Sequence, residues 1–100
     1  MNKPVMELNG KKYEIKELKA RVWREVTEFE TNKKELSNVE YVDKHVEILS
    51  KFFDVAADEI LDNMDLAGVT LKYLECYRYM FDMLYAKTKE LGNIKGGGVK

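Results

Sequence analysis

The sequence predicts a mostly α (α+β) fold, in which an N-terminal β-hairpin packs on a small helical domain with one long C-terminal helix. Three observations predict it: an Asn-Gly pair between alternating apolar residues, a helical spacing of apolar residues from about residue 18 onward, and a length of 100 residues that suits one hydrophobic core. We therefore expect a single domain over residues 1–92 and a flexible, glycine-rich tail over residues 93–100.

The hairpin is expected over residues 4–16, with Asn9 and Gly10 at its turn. Both residues readily adopt positive φ, which a two-residue type I′ turn requires. This turn pairs Leu8 with Lys11 and fixes the register of the remaining residues. Because an isolated two-stranded ribbon is only marginally stable, we expect its apolar face to pack on the helices. That face carries Met6, Leu8, Tyr13 and Ile15.

Three helices are expected between the hairpin and residue 63. Apolar residues at spacings of three and four, beginning at Leu18, indicate the first helix, and Ser37 or Asn38 can cap the second. Two adjacent apolar stripes on the second helix predict that it contacts the core on more than one side. A break at Phe53-Asp54-Val55 precedes the short third helix. The expected bounds are about 18–31, 39–53 and 57–63.

The last helix is expected over about residues 66–91, with Asp65 as its cap and Gly92 at its end. A surface helix normally has one apolar stripe, a little over about 100° wide. Here one side carries Val69, Tyr73, Cys76, Tyr77, Met80, Met83 and Leu84, and another carries Leu71, Leu74, Phe81 and Tyr85. Either this helix is central in the domain, or a second protein covers part of it.

Charge and cysteine content exclude several classes of protein. The chain has 17 basic and 18 acidic residues, and neither half is basic enough to face a nucleic-acid backbone. Its one cysteine, Cys76, fits a reducing compartment. The N-terminus lacks the apolar run of a signal peptide, and charged residues interrupt the longest apolar stretch, so we expect no membrane partner and a location in the cytoplasm.

The residues that could carry chemistry do not form a site that the sequence can identify. His45 is the only histidine and Cys76 the only cysteine, so together they cannot build a zinc site. The acidic residues between Asp54 and Asp65 lack the spacing of a calcium loop, and the glycines near the C-terminus do not form a phosphate loop. We therefore expect no enzyme, no catalytic residue, no metal and no cofactor.

The remaining signal is an excess of amphipathic and flexible apolar side chains, six Tyr and five Met among them. Such side chains suit surfaces that a partner covers. Some must belong to the core, and others can form a partner-binding face on the last helix. The candidates for partner binding or self-association are Tyr73, Tyr77, Met80, Phe81 and Leu84. We expect a homo-oligomer formed through this helix.

Three stretches of the chain resemble a known family. They are the hairpin Met6–Ile15, the helix with Arg21-Val22-Trp23, and the segment Phe52–Asp62, whose phenylalanine pair precedes Asp-Glu-Ile-Leu. In this order they resemble the small tail assembly chaperones of long-tailed, siphovirus-type phages and prophages of Gram-positive bacteria. The resemblance covers nearly the whole chain and includes no catalytic signature.

The resemblance implies a mostly helical binding protein that works without cofactors in the bacterial host cytoplasm. Such chaperones bind the apolar tape-measure protein, keep it in solution, and help tail-tube assembly, with the major tail protein as a further partner. They self-associate, and many also exist as a frameshifted longer form. Two alternatives are a structural minor tail or head–tail connector protein and a small regulatory interaction domain.

Overall fold

A computed structural model of the protein describes residues 3–15 and 17–94. It confirms the predicted fold class, because a two-stranded hairpin is followed by helices, of which the last is the longest. A single 3₁₀ turn, Lys33–Glu35, follows the first helix. The strands are β1 (Val5–Leu8) and β2 (Lys11–Glu14), and the helices are α1 (Ala20–Asn32), α2 (Asn38–Phe53), α3 (Ala57–Asn63) and α4 (Leu66–Ile94).

The hairpin has the predicted register, with Leu8 opposite Lys11. Asn9 and Gly10 have φ values of 55° and 80°, so both turn residues adopt the left-handed conformation that the Asn-Gly pair predicts. Its apolar face packs into the core, where Met6 and Leu8 are buried. Residue 16, the last one of the predicted hairpin, lies outside the described residues.

Helix α1 begins at Ala20, two residues later than predicted. Lys19 is still extended there, and its carbonyl accepts the first backbone hydrogen bonds of the helix. Helix α2 begins at Asn38, one residue earlier than predicted, and of the two predicted caps Ser37 is the one used: its hydroxyl accepts a hydrogen bond from the backbone N–H of Glu40 at 3.2 Å. The Glu40 carboxylate accepts from the backbone N–H of Ser37 at 2.9 Å, which completes a capping box.

The predicted break after α2 is made by Asp54, which has a left-handed φ of 58°. The backbone N–H of Val55 then donates to the Ser50 carbonyl at 3.1 Å, and the Ser50 hydroxyl donates to the Val55 carbonyl at 2.6 Å. These bonds satisfy groups that the end of a helix leaves free, and they turn the chain toward α3.

Helix α4 begins after Asp65, whose carboxylate accepts from the backbone N–H of Gly68 at 2.7 Å. It continues through Gly92 and Asn93 to Ile94, so the predicted end near residue 91 and the predicted start of the tail at 93 are wrong. Gly92 lies within the helix and does not end it. The rest of the predicted tail, residues 95–100, lies outside the described residues.

The core is centred on α2, which contacts α1, α3 and α4, while β1 contacts α3. Both predicted stripes of α2 reach this core, and six of its residues are buried: His45, Val46, Ile48, Leu49, Phe52 and Phe53. Helix α4 is therefore one of three helices that pack against α2.

Candidate interaction surface

The inner side of α4 closes the core. Its buried residues are Val69, Tyr73, Cys76 and Met80. The Tyr73 ring stacks on His45 with centroids 4.2 Å apart, and the Tyr73 hydroxyl donates to the Glu30 carboxylate at 2.7 Å. This side of the helix is held by packing on α2 and by a hydrogen bond to α1.

The five predicted interaction residues divide between the core and the surface. Tyr73 and Met80 are only 1% and 2% exposed, so they pack inside the chain and are not available to a partner. Phe81 and Leu84 are exposed, and Tyr77 is half-buried between the two groups. The sequence could not separate them, because it predicts two apolar sides of the helix and does not show which of them faces the neighbouring elements.

The outer side of α4 carries a row of exposed residues, which we call the outer stripe. Its members are Ala67, Leu71, Leu74, Arg78, Phe81, Tyr85 and Thr88, and every one of them is exposed. Leu71 and Tyr85, at 66% and 69%, are among the most exposed large apolar residues of the described chain. Leu71 and Leu74 were absent from the predicted site. The signal that could have found them is their alternating spacing of four and three residues along the helix.

A row of aromatic rings joins the buried side of α4 to the outer stripe. The centroids of Tyr73 and Tyr77 are 6.1 Å apart, and those of Tyr77 and Phe81 are 4.9 Å apart. Such contacts add to the free energy gained from burying each ring. The exposed Phe81 is therefore held by a neighbour that itself packs against the core.

The charges around the outer stripe are arranged unevenly. Glu75 and Asp82 are seven residues apart and so lie along the same edge of the stripe, which Lys89 continues after another seven residues. Glu75 pairs with Lys72 at 2.8 Å. Arg78, in the middle of the stripe, forms no ion pair and no side-chain hydrogen bond with any other residue that the structure describes.

A shallow groove of about 100 Å³ continues the apolar surface from α4 onto α1. Its large apolar side chains are Leu18, Trp23, Met80, Met83 and Leu84. Trp23 is 42% exposed. In the sequence it lies beside the first apolar stripe, a position that does not predict whether the side chain is buried or exposed. The apolar surface thus extends over two helices.

The two residues with the most reactive side chains lie in the core. Burial raises the pKa of the Cys76 thiol to about 12, which leaves almost no thiolate near neutral pH. Burial also lowers the pKa of His45, and its Nδ1 atom has no hydrogen-bond partner within the described part of the chain. Residues 3–15 and 17–94 contain no cluster of three metal-ligating side chains.

No protein family profile, no curated protein and no solved structure matches the chain. Within the part that the structure describes, the helices lack the combination of length and apolar character that crossing a membrane requires. The geometry of α4 is therefore the main guide to function.

Proposed function

We propose that the chain is a tail assembly chaperone, which binds a phage tape-measure protein and keeps it in solution while the tail tube assembles. The outer stripe is the observation that most supports this function. Its large apolar side chains stay exposed although the core beneath α4 is closed. Contiguous exposed apolar surface on a small protein is typical of a site that binds another protein.

The chemistry of the partner agrees with this surface. In the family that the chain resembles, the tape-measure protein is long and apolar and must be covered until the tube encloses it. A rigid helix with exposed Leu71, Leu74 and Phe81 can cover apolar residues of such a chain. The activity needs no cofactor, and its location would be the cytoplasm of the bacterial host.

Co-expression with a tape-measure protein tests the proposal. We expect the wild-type chain to move that protein from the pellet to the soluble fraction. The double variant Leu74→Glu/Phe81→Glu should lose this effect, because charges on the outer stripe oppose apolar contact. The matched control is Val39→Glu, which changes an equally apolar residue, 69% exposed, at the start of α2.

Equal solubilisation by all three chains would contradict the proposal, provided that circular dichroism shows each of them folded. Mass spectrometry of purified virions separates the chaperone from a structural tail component. A chaperone should be absent from the finished particle, whereas a minor tail or connector protein should remain in a fixed ratio to the other tail proteins.

A further inference from the structure

The spacing of the outer stripe defines the shape of its partner. From Ala67 to Thr88 the stripe residues alternate at intervals of four and three. This is the spacing with which one helix packs along another at a shallow angle over several turns. The stripe covers 21 residue steps, or ~32 Å at about 1.5 Å per residue. Its occupant is therefore a helix of about three heptads.

Arg78 defines the chemistry at the centre of that helix. It lies between Leu74 and Phe81 along the stripe, and no described residue forms an ion pair with it. A partner helix would remove its guanidinium from water, which is costly unless a carboxylate faces it. An apolar or basic residue at that layer of the partner would leave a desolvated charge without compensation.

The same charges oppose symmetric pairing of two α4 helices. In a parallel pair, the central layer would place one Arg78 beside the other. In an antiparallel pair centred on Arg78, Glu75 of each copy would face Asp82 of the other. Both arrangements juxtapose like charges, which is how helices exclude wrong partners.

We propose that the outer stripe binds one helix of a different protein, with a carboxylate opposite Arg78 and basic side chains along the Glu75–Asp82 edge. The inference rests on the proposed function only for the identity of the protein that carries this helix. It changes the expectation of self-association, because two copies would then have to meet through other surfaces than the outer stripe.

Synthetic helical peptides of three heptads test the charge rule. They carry Leu at the a and d positions and Lys at the flanking positions. One has Glu at a central a position and one at a central d position, so that both helix directions are sampled. The controls carry Lys at the same places, and sedimentation must show all four peptides to be monomeric.

We expect the wild-type chain to bind one Glu peptide about tenfold more tightly than its Lys control, which corresponds to about 1.4 kcal/mol. Fluorescence anisotropy measures the dissociation constants. Arg78→Glu should reverse the preference. Arg24→Glu, which changes an exposed arginine of α1, should leave it intact.

Equal affinity for Glu and Lys peptides, or a Glu preference that persists in Arg78→Glu, would overturn the inference. So would a wild-type dimer that Leu74→Glu converts to monomer in sedimentation velocity. If the chain dissolves the tape-measure protein without showing peptide preference, the inference fails and the proposed function stands. If the preference is present without that solubilisation, the proposed function fails and the charge rule stands.

Discussion

Helices α2 and α4 both carry apolar side chains around much of their circumference, but the chain covers them to different extents. On α2, two adjacent stripes are buried because α1, α3 and α4 pack around the helix. On α4, one stripe is buried, while Leu71, Leu74, Phe81 and Tyr85 remain exposed. A broad apolar face therefore has two meanings. It indicates a central helix where neighbours surround it, and a binding surface where they do not.

The strongest test of this comparison exchanges one large apolar residue on each helix for alanine. Phe52→Ala on α2 should cost about 3–5 kcal/mol, because it leaves a cavity in a closed core. Leu74→Ala on the outer stripe should change the free energy of unfolding by less than about 0.5 kcal/mol. Urea titration followed by circular dichroism measures both.

If Phe52→Ala does not fold, Phe52→Leu provides a milder variant for the same comparison. Similar losses from Phe52 and Leu74 variants would mean that the outer stripe contributes to folding, and would contradict its assignment as a binding surface.

A second test compares two tyrosines on α4 itself. Tyr73→Phe removes the hydroxyl that donates to Glu30 at 2.7 Å, so we expect a loss of about 1–3 kcal/mol. Tyr85→Phe should have almost no effect, since the Tyr85 side chain is exposed. Equal urea midpoints for the two variants would show that the Tyr73 hydroxyl is not part of the folded core.

Removing the N-terminal cap should destabilise the chain equally on α2 and on α4. Equal losses would show that the two helices differ in how far other elements cover their side chains, and not in how their N-termini are held. Ser37→Ala removes the capping box of α2, and Asp65→Ala removes the side-chain cap of α4. Each should cost about 1 kcal/mol. Thermal unfolding monitored at a helical wavelength measures both, and a loss confined to one variant would reveal a frayed end on the other helix.

The smallest expected effect is a dependence of stability on pH that originates on the inner side of α2. Burial lowers the pKa of His45, with Lys33 adding to the decrease and Glu30 opposing it. The unfolded chain therefore takes up the proton first, at a pKa of about 6.5. Stability is complete above that value and falls as the pH drops toward the lower pKa of the folded state.

Between about pH 7.5 and about pH 6, this loss should stay below about 1 kcal/mol. His45→Phe keeps an aromatic ring against Tyr73 and removes the titration, so its urea midpoint should change less over the same interval. An equal change in the wild type and in His45→Phe would assign the pH dependence to other groups.

The fold was more predictable than the site, for physical reasons. Local signals determine the hairpin register through Asn9 and Gly10, and the start of α2 through Ser37 and Glu40. The start of α1 and the end of α4 were missed by two and three residues, because Lys19 and Gly92 can adopt either helical or extended backbone.

The site depended on information that a single helix does not contain. Tyr73 and Phe81 lie on two apolar sides of α4 that the sequence does not rank, yet one stacks on His45 and the other is exposed. Only the position of α2 decides between them. The spacing of the outer stripe was present in the sequence, but the charged Arg78 interrupts its apolar pattern. In the structure Arg78 lies at the centre of an exposed row.

The position of Tyr73 in the sequence also determines when the core can close during synthesis. Its ring contacts Phe29 at a centroid distance of 5.6 Å and stacks on His45, residues that are translated much earlier. Until the ribosome has added residue 73, Tyr41 of α2 is the aromatic ring that contacts both of these rings, and the contact with Tyr73 is missing. The Val5 carbonyl likewise lacks the Lys72 ammonium that donates to it at 2.7 Å. Contacts so distant in sequence form late. The nascent chain therefore exposes apolar core surface until α4 emerges. Before that point this core surface can bind the same apolar partners as the outer stripe, and once α4 has packed, the outer stripe is the apolar surface of α4 that remains exposed.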